Sequence, residues 1–378
     1  MLDEGKWREL CERGAPGFTE RVHVPGLVSE PEALAGLLLD AVRAATTRVG
    51  EHDTDLPAMR AFRGASLDYD ASERLMSGAF SGERDIHAWL SERGGNDDIC
   101  LAANGVESWD AELGELLYTR FVVPLEKAGV PLSRGVDWYC FIASAGLTPF
   151  GVHTDPEPSF IVNLGPAEKT AWTWPENRLS TLGNGRPRTL DSTPLLPSAD
   201  RVRLAPGDFL LIPAGMYHLF RNDGPSILLG LTIYPDEPAR TATDALLDQM
   251  RRRHGPGVDP LDAFRDALKD DGVERAAARQ ASLLRSSGYG TTPRFPGRAT
   301  DQGPPYKVTR LPIVVTGRSV FALGRELSVD LGGLAELLKP GALVGDGELR
   351  DAATTPELRA AVRALIRVGV LRSVGTPS

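Results

Sequence analysis

The segment Thr148-Pro-Phe-Gly-Val-His-Thr-Asp155 follows one strand-like run of apolar residues and precedes another. In a β-strand, residues i and i+2 point to the same face, so His153 and Asp155 can reach a single metal ion together. A second histidine, His218, follows 65 residues after His153, beyond a further strand-like run. We therefore predict a metal site made of His153, Asp155 and His218.

The residue types of this site indicate which metal it suits. Two imidazoles and one carboxylate on one face of an octahedron leave three coordination positions open, which suits non-haem Fe(II). A His-x-Asp tripeptide alone is weak evidence, because chance produces many. Here it is joined by Pro206-Gly-Asp-Phe-Leu-Leu-Ile-Pro-Ala-Gly-Met-Tyr-His218, in which a turn, a strand and a Pro/Gly corner lead into the histidine. Two other interpretations stay open: structural histidines in a metal-free cupin, and a manganese or zinc cupin, which would more often use three or four His and Glu ligands.

The pattern between residues 137 and 234 is that of closely spaced short strands. Such strands, separated by Gly and Pro turns, indicate an all-β sandwich or barrel rather than βαβ units. A polar stretch between Pro175 and Asp200 can be a substrate loop or a variable surface loop. The predicted strands are Asp137–Ser144, Ser159–Leu164, Thr170–Trp174, Arg201–Leu204, Asp208–Ile212 and Ser226–Tyr234.

The first 130 residues support this β-region mainly with helices. Val22–Val24 is a candidate short strand that Pro25 ends. Between residues 61 and 130 the pattern alternates between loop and helix. Apolar residues at helical spacing predict helices at Glu30–Arg48, Ser81–Ser91 and Ala102–Ala128.

After Pro235 the composition changes to helical patterns and then to a Gly-, Pro-, Ser- and Thr-rich linker. The last segment alternates short strand and helix patterns, which is typical of a small α/β unit. We therefore divide the chain into a barrel with N-terminal helical support (1–240), a helical segment (241–290), a linker (291–306) and a C-terminal unit (307–378). The predicted elements are helices at Thr241–Arg253 and Pro260–Arg285, a strand at Leu311–Thr316, a hairpin at Val320–Val329, and helices at Leu331–Leu338 and Thr355–Val368.

Composition limits the function classes. The chain has 378 residues and a net charge of −9, which argues against general nucleic-acid binding and mildly favours a neutral or basic partner. Its three cysteines are widely separated and match neither a disulfide framework nor a zinc spacing. No run approaches the roughly 20 apolar residues of a membrane span. The N-terminal stretch lacks the apolar centre of a secretory signal, so we expect a cytoplasmic protein.

Three groups of motifs resemble the JmjC group of 2-oxoglutarate oxygenases. They are Thr148–Asp155, the pair Phe160-Ile-Val-Asn-Leu-Gly165 and Lys169-Thr-Ala-Trp-Thr-Trp174, and the segment Pro206–His218. The motifs are closer to those of protein side-chain hydroxylases than to histone demethylases, and the layout of the chain resembles the bacterial ribosomal-oxygenase type. The resemblance implies an α+β fold: a double-stranded β-helix (jelly-roll or cupin) core with N-terminal helices, a helical dimerisation segment and a C-terminal winged-helix-like domain.

The resemblance also implies roles for individual residues. His153, Asp155 and His218 would bind Fe(II). Lys169 would hold the distal carboxylate of the cosubstrate 2-oxoglutarate, because a carboxylate buried in a barrel must be paired with a cation. A competing oxygenase class places an arginine shortly after the distal histidine, where this chain has Leu228. That difference favours the lysine arrangement, although the bacterial ribosomal type usually has arginine near the position of Lys169.

Three further residues are weaker candidates for the cosubstrate pocket. Asn163 lies on the predicted strand before Lys169. Ser144 and Thr232 lie on the first and last predicted strands of the β-region. Each side chain can hydrogen-bond a carboxylate.

By this resemblance the protein would use 2-oxoglutarate and molecular oxygen to hydroxylate the β-carbon of a side chain within a polypeptide. The target would be a ribosomal protein or the precursor peptide of a natural product, and the expected assembly is a homodimer. A different class also stays open: a metal-binding cupin sensor whose C-terminal winged helix binds DNA. Arg359, Arg363 and Arg367 do form a basic stripe at i, i+4 and i+8. Acidic residues nearly offset the basic charge of that segment, and such a stripe is more often a solvated helix face.

Overall fold

A computed structural model of the chain describes residues 2–15, 17–51, 58–80, 85–95, 99–175, 188–254, 257–269, 271–293, 305–316, 319–327 and 329–374. The chain forms two compact units. Unit 1 comprises Met1–Val130 and Val136–Tyr234, and unit 2 comprises Pro131–Gly135 and Pro235–Ser378. Among the described residues, no helix is both long enough and apolar enough to cross a bilayer.

Unit 1 begins with helices and continues into two antiparallel sheets. Its helices are α1 (Glu4–Gly14), α2 (Pro31–Glu51), α3 (Tyr69–Ser77), α4 (Ile86–Gly94), α5 (Ala111–Leu117) and α6 (Val123–Lys127), with one π-helical turn (Tyr118–Val122) between α5 and α6. Its strands are β1 (Val22–Val24), β2 (Met59–Arg63), β3 (Ser66–Asp68), β4 (Ile99–Asn104), β5 (Val136–Ala143), β6 (Gly146–Leu147), β7 (Val152–His153), β8 (Ser159–Pro166), β9 (Lys169–Trp174), β10 (Arg188–Thr189), β11 (Asp200–Leu204), β12 (Phe209–Ile212), β13 (Tyr217–Asn222) and β14 (Ser226–Ile233).

The larger sheet has eight strands in the order β1-β12-β8-β14-β5-β4-β2-β3. Its central strand β14 pairs with β5 along its whole length and with β8 on its other side. Nearly every residue of β8 and β14 is buried, which explains why both strands read as continuous apolar runs in the sequence. Helix α2 packs against β8.

The smaller sheet has the order β10-β7-β13-β9-β11, with β6 paired to β13. The two sheets share one apolar core, in which Ile161 and Leu228 of the larger sheet pack with Ala171 and Phe220 of the smaller one. Unit 1 is therefore a double-stranded β-helix with N-terminal helices, which confirms the predicted α+β fold class; the winged-helix character of residues 307–378 stays a prediction.

The Pro-Gly-Asp turn before β12 fastens the N-terminal segment to the barrel. Asp208 is buried, and its carboxylate accepts hydrogen bonds from the backbone N–H groups of Gly26 (2.9 Å) and Ala205 (3.0 Å). Gly207 has a φ of +89°, and a Cβ there would lie 2.3 Å from the carbonyl oxygen of Val28. Only glycine fits this close approach of two backbones.

Unit 2 contains a helical part and two small sheets. One sheet has the order Leu343–Val344, Tyr306–Val308, Leu371–Ser373, and the other has the order Ile313–Thr316, Ser319–Ala322, Arg325–Leu327. Its helices are α7 (Pro238–Arg253), α8 (Pro260–Ala267), α9 (Gly272–Ser286), α10 (Asp346–Ala352) and α11 (Pro356–Val368), with a 3-10 turn at Gly332–Glu336. Its strands are β15 (Tyr306–Val308), β16 (Ile313–Thr316), β17 (Ser319–Ala322), β18 (Arg325–Leu327), β19 (Leu343–Val344) and β20 (Leu371–Ser373).

The strands predicted for residues 137–234 are present in the structure. For residues 61–130 only loops and helices were predicted, whereas the structure also has strands there. The predicted helix Ala102–Ala128 begins only at Ala111, because residues 99–104 form β4. Strand β4 pairs with β2 and with β5 and so extends the larger sheet. These pairings join residues far apart in sequence. The apolar residues after β4 have helical spacing, so the sequence analysis included β4 in the predicted helix.

Other predictions need smaller corrections. The helix predicted at Pro260–Arg285 is divided into α8 and α9. The structure adds β13 within a segment that the sequence indicated only as a Pro/Gly corner. Residues 176–187 of the stretch between Pro175 and Asp200 and residues 294–304 of the predicted linker lie outside the described residues.

Candidate metal centre

Two histidines meet on neighbouring strands of the smaller sheet. His153 ends β7 and His218 lies on β13, and the two residues stand directly opposite each other in the antiparallel pairing. Directly opposite residues point to the same face of a sheet. The centroids of the two imidazole rings are accordingly 4.2 Å apart.

Both imidazoles are oriented in the same way by the backbone. Nδ1 of His153 lies 3.0 Å from the carbonyl oxygen of Gly151, and Nδ1 of His218 lies 3.1 Å from that of Met216. A carbonyl oxygen can only accept, so each Nδ1 carries the proton and donates it. In a neutral imidazole this leaves Nε2 with a free lone pair, which is the form that binds a metal.

The environment of His218 favours the neutral ring. Its side chain is only 5% exposed. Burial, followed by the charge of a protonated His153, holds the pKa of His218 below its ordinary value, and the negative charge of Asp155 opposes this shift. His218 is therefore available as a neutral ligand near pH 7.

Asp155 completes the cluster from a loop. β7 ends at His153, so Asp155 lies beyond the strand, and the i, i+2 geometry expected from the sequence is replaced by a loop that turns back. The backbone N–H of Gly215 donates to the carbonyl oxygen of Asp155 at 2.8 Å and fixes this loop. Oδ1 of Asp155 lies 3.8 Å from Nε2 of His153, and Oδ2 lies 3.5 Å from Nε2 of His218.

This donor set fits a metal ion. One ligand atom from each of His153, Asp155 and His218 lies within 4.8 Å of the other two. Within the described part of the chain, no other group of three His, Cys, Asp or Glu residues is arranged in this way. Two imidazole nitrogens and one carboxylate oxygen are the ligands of non-haem Fe(II) oxygenases. The structure thus brings together the three residues that the sequence predicted.

A cavity of about 290 Å³ opens beside the three ligands, with walls from both sheets. It also has the size and mixed polarity of a small-molecule site. The residues that line it besides the ligands include the apolar Phe141, Phe150, Ile161, Phe220 and Leu228 and the polar Arg60, Asn104, Asp137, Tyr139, Glu157, Ser159 and Thr232.

Lys169 lies inside the barrel but outside the lining of this cavity. It is 1% exposed and stands opposite Asn222 in the β9–β13 pairing. Asn222 follows His218 by four residues on the same face, so Lys169 points into the barrel at a deeper level than the histidines. Phe220, between them on β13, separates the two levels.

The surroundings of Lys169 are polar but uncharged. Its Nζ donates to Oδ1 of Asn222 and, at 2.7 Å, to Oγ of Ser226. No carboxylate among the described residues forms an ion pair with it. Burial lowers the pKa of Lys169 to about 7, with a small opposing effect from the Cys100 thiol. A buried cation without a counter-charge is costly, and an anionic ligand would remove that cost.

The other three predicted cosubstrate contacts lie at different places. Thr232 lines the cavity. The Asn163 amide donates to the carbonyl oxygens of Ala167 (3.0 Å) and Leu204 (2.9 Å), and Ser144 hydrogen-bonds the backbone of Ile99. Asn163 and Ser144 are not among the residues that line the cavity.

The sequence analysis missed the cavity wall that β5 supplies. Asp137, Tyr139 and Phe141 alternate along this strand and all line the cavity. The signal was present, because every second residue of a strand faces the same side. The apolar residues between them, Trp138, Cys140 and Ile142, made this alternation hard to recognise in the sequence.

Comparison with known proteins identifies the fold. No family model and no curated protein matches the sequence. Crystal structures of the Escherichia coli ribosomal oxygenase YcfD do match: one has 16% sequence identity and a TM-score of 0.54, with 97% of each chain covered. This chain shares the fold of YcfD. The resemblance predicted from the sequence is therefore confirmed at the level of the fold.

Two further YcfD structures contain ligands. The complex with cobalt and succinic acid matches at 16% identity and a TM-score of 0.55, and the complex with cobalt and 2-oxoglutarate at 17% identity and 0.54. Each again covers 97% of both chains. These ligands belong to YcfD. At this identity the chemistry of the present chain depends on its own residues.

We predict that the purified protein binds one Co(II) ion at the three-residue cluster. Replacing His153 or Asp155 by Ala should weaken Co(II) binding more than the 10- to 100-fold typical of residues that merely support a ligand. Isothermal titration calorimetry and the visible absorption of Co(II) measure this directly. His254→Ala, in unit 2, is the matched control and should bind as the wild type does. Unchanged affinity in both ligand variants would contradict the assignment.

Proposed function

We propose that this protein is an Fe(II)- and 2-oxoglutarate-dependent oxygenase that hydroxylates a side chain of a polypeptide. The observation that carries the proposal is the convergence of two imidazoles and one carboxylate at a cavity in a double-stranded β-helix. His153, Asp155 and His218 would hold Fe(II). When bound, the iron supplies the oxidising chemistry by which 2-oxoglutarate, O2 and a C–H group become succinate, CO2 and an alcohol.

The chain's own residues bind and orient the reactants. The three ligands would hold the metal ion beside the cavity, which would receive the cosubstrate and oxygen. The apolar residues of the cavity wall, such as Phe150 and Phe220, exclude water from the site. None of the three ligands acts as a general acid or base in this scheme.

Lys169 is the proposed anchor for the distal carboxylate of 2-oxoglutarate. It is a buried ammonium group whose described hydrogen-bond acceptors, Asn222 and Ser226, are both neutral. A carboxylate at this position would supply the missing negative charge and accept a charge-assisted hydrogen bond. Thr232 is the second proposed contact, since it lines the cavity. Asn163 and Ser144, already bonded to the backbone, are weaker assignments.

A ribosomal protein is the first proposed substrate, and the precursor peptide of a natural product is the second. Two observations support the first: the fold is that of a ribosomal oxygenase, and the net charge of −9 suits a basic polypeptide. The β-carbon of the target side chain is the proposed site of hydroxylation. A cytoplasmic location follows from such a substrate.

Unit 2 carries an apolar stripe that suits a homodimer contact. Leu261, Phe264 and Leu268 follow one another at i, i+3 and i+7 on and just after α8, and they are 63%, 41% and 54% exposed. Leu247 on the adjacent α7 adds a further exposed apolar side chain. Soluble monomers rarely leave contiguous apolar surface uncovered, and a second copy is the proposed cover.

Cosubstrate turnover tests the enzyme proposal. We expect the protein with Fe(II) to convert 2-oxoglutarate to succinate, slowly without substrate and faster with it. His153→Ala and Asp155→Ala should fall to the level of a protein-free sample, while His254→Ala keeps the wild-type rate. Mass spectrometry of ribosomal proteins incubated with the enzyme should show the addition of one oxygen atom. Equal succinate formation by wild type and both ligand variants would refute the proposal.

The role of Lys169 gives a prediction for pH. Its pKa of about 7 lies below the ordinary lysine value, so in the free protein the ammonium form is present below pH 7 and lost above it. The carboxylate binds the ammonium form, so 2-oxoglutarate affinity should be highest below pH 7. Above it the dissociation constant should rise by up to about tenfold per pH unit. Calorimetry with Co(II)-loaded protein measures the profile.

Two variants give the controls for this profile. Lys169→Met should bind 2-oxoglutarate weakly and without this pH dependence, whereas Lys127→Met, at an exposed lysine, should follow the wild-type curve. A flat wild-type profile would mean that the anchor is another residue.

The stripe on α8 predicts the assembly state. Phe264→Asp and Leu268→Asp together should convert a dimer to a monomer, because each places a charge in the apolar contact. Light scattering coupled to size-exclusion chromatography measures the mass. Leu343→Asp, which changes an equally exposed leucine outside the stripe, should leave the dimer intact. A wild-type monomer would refute the proposed contact.

A further inference from the structure

Tyr139 crosses the central strand of the larger sheet at a glycine. It stands opposite Gly230 in the β5–β14 pairing. A Cβ at Gly230 would lie 2.1 Å from Cζ of the Tyr139 ring and 2.6 Å from its hydroxyl oxygen. The phenol therefore lies flat over Gly230, and its hydroxyl projects beyond β14 toward β8.

Two side chains with hydroxyl groups lie beside the Tyr139 hydroxyl. Thr232 and Ser159 are directly paired across β14 and β8, and the hydroxyl of Tyr139 interacts with the hydroxyl groups of both. The Tyr139 side chain is half-buried in the cavity wall, and desolvation, together with the negative charge of Asp155, raises its pKa. The phenol consequently keeps its proton and can donate as well as accept.

Ser159 links this hydroxyl group to the metal ligands. Its Oγ donates to Oδ2 of Asp155 at 3.5 Å, a long hydrogen bond. The Asp155 carboxylate is 38% exposed and lies on a loop, so its side chain is the least confined of the three ligands. Within the described part of the chain, Ser159 is the one side chain besides the two histidines that forms a hydrogen bond or ion pair with this carboxylate.

From this geometry we propose that Tyr139, Ser159 and Thr232 are positioning residues that fix the orientation of the Asp155 carboxylate for metal binding. Ser159 acts directly, and Tyr139 acts through Ser159. The inference rests on the metal site of the proposed function. It also gives Thr232 a structural partner in Tyr139, in addition to its proposed contact with the cosubstrate.

The physical reason is the rotational freedom of a carboxylate. An aspartate on a loop must lose the freedom of its terminal torsion before it can ligate a metal, and a preset hydrogen bond removes part of that cost in advance. The hydroxyl of Ser159 can itself rotate, and in the proposed arrangement its interaction with the Tyr139 hydroxyl favours the direction toward Asp155. Supporting contacts of this kind typically change metal affinity by 10- to 100-fold.

Co(II) binding to the full chain tests the proposal with a readout other than turnover. Ser159→Ala should weaken Co(II) affinity by about 10-fold or more and change the visible absorption of the bound ion. Tyr139→Phe should shift both in the same direction by a smaller amount. Ser159→Thr, which keeps the hydroxyl, should restore both.

A double-mutant cycle separates positioning from general destabilisation. If Tyr139 acts through Ser159, then Tyr139→Phe should have no further effect on Co(II) affinity when Ser159 is already Ala. Additive losses would overturn the relay. Gly230→Ala should reproduce the Tyr139→Phe effect by displacing the ring. Thermal unfolding of each variant, followed by tryptophan emission, shows whether unit 1 remains folded, since all six tryptophans lie in it.

Tyr69→Phe and Ser77→Ala, both at exposed positions on α3, are the matched controls and should bind as the wild type does. Wild-type affinity in a folded Ser159→Ala variant would refute the positioning role and leave the metal site standing. Failure of the wild-type protein to bind Co(II) would instead refute the metal site itself.

Discussion

Each ligand histidine donates its Nδ1 proton to the carbonyl oxygen two residues before it, His153 to Gly151 and His218 to Met216. This local bond selects the tautomer in which Nε2 is free, and it does so without any long-range contact. The remaining task of the fold is to bring the two rings to the same face of the sheet. The antiparallel pairing of β7 with β13 performs it, because opposite residues share a face of the sheet. The metal centre thus combines two local bonds with one strand register.

The pairing of β13 with its neighbouring strands also sets the level at which each inward-facing side chain lies in the barrel. His218, Phe220 and Asn222 alternate along β13 and face inward, and Lys169 stands opposite Asn222. Four residues of strand span about 13 Å. One strand pair therefore carries the metal ligand at one level and the buried cation at another, with a phenylalanine between them. A ligand with a chelating end and a distal carboxylate has the chemistry that these two levels require.

Much of this arrangement was predictable from local sequence, and the reasons for the rest are physical. The three metal ligands and the strands β5, β8, β9, β11, β12 and β14 follow from residue type and period. The strand pairing of β4 with β2 and β5 was not predictable from local sequence, because it depends on contacts far apart along the chain. The position of Asp155 shows the limit most clearly. Spacing placed it on a strand with His153, whereas a loop held by Gly215 brings it to the same point by another route.

The metal ligands and Lys169 carry opposite charges at different levels of the barrel. Asp155 is a carboxylate beside two imidazoles, and the ammonium form of Lys169 is buried beside two neutral acceptors. Among the described residues, neither charge is compensated by an opposite charge of the protein. The two charges differ in sign and lie at different levels of the barrel. In the proposed function a divalent cation would neutralise the first charge and a dicarboxylate the second, and a dicarboxylate that also chelates the cation would neutralise both. Because a ligand that binds only the folded state stabilises it, folding of unit 1 and loading of its site are thermodynamically linked. The barrel therefore specifies its ligands by the charges that its own residues leave unbalanced.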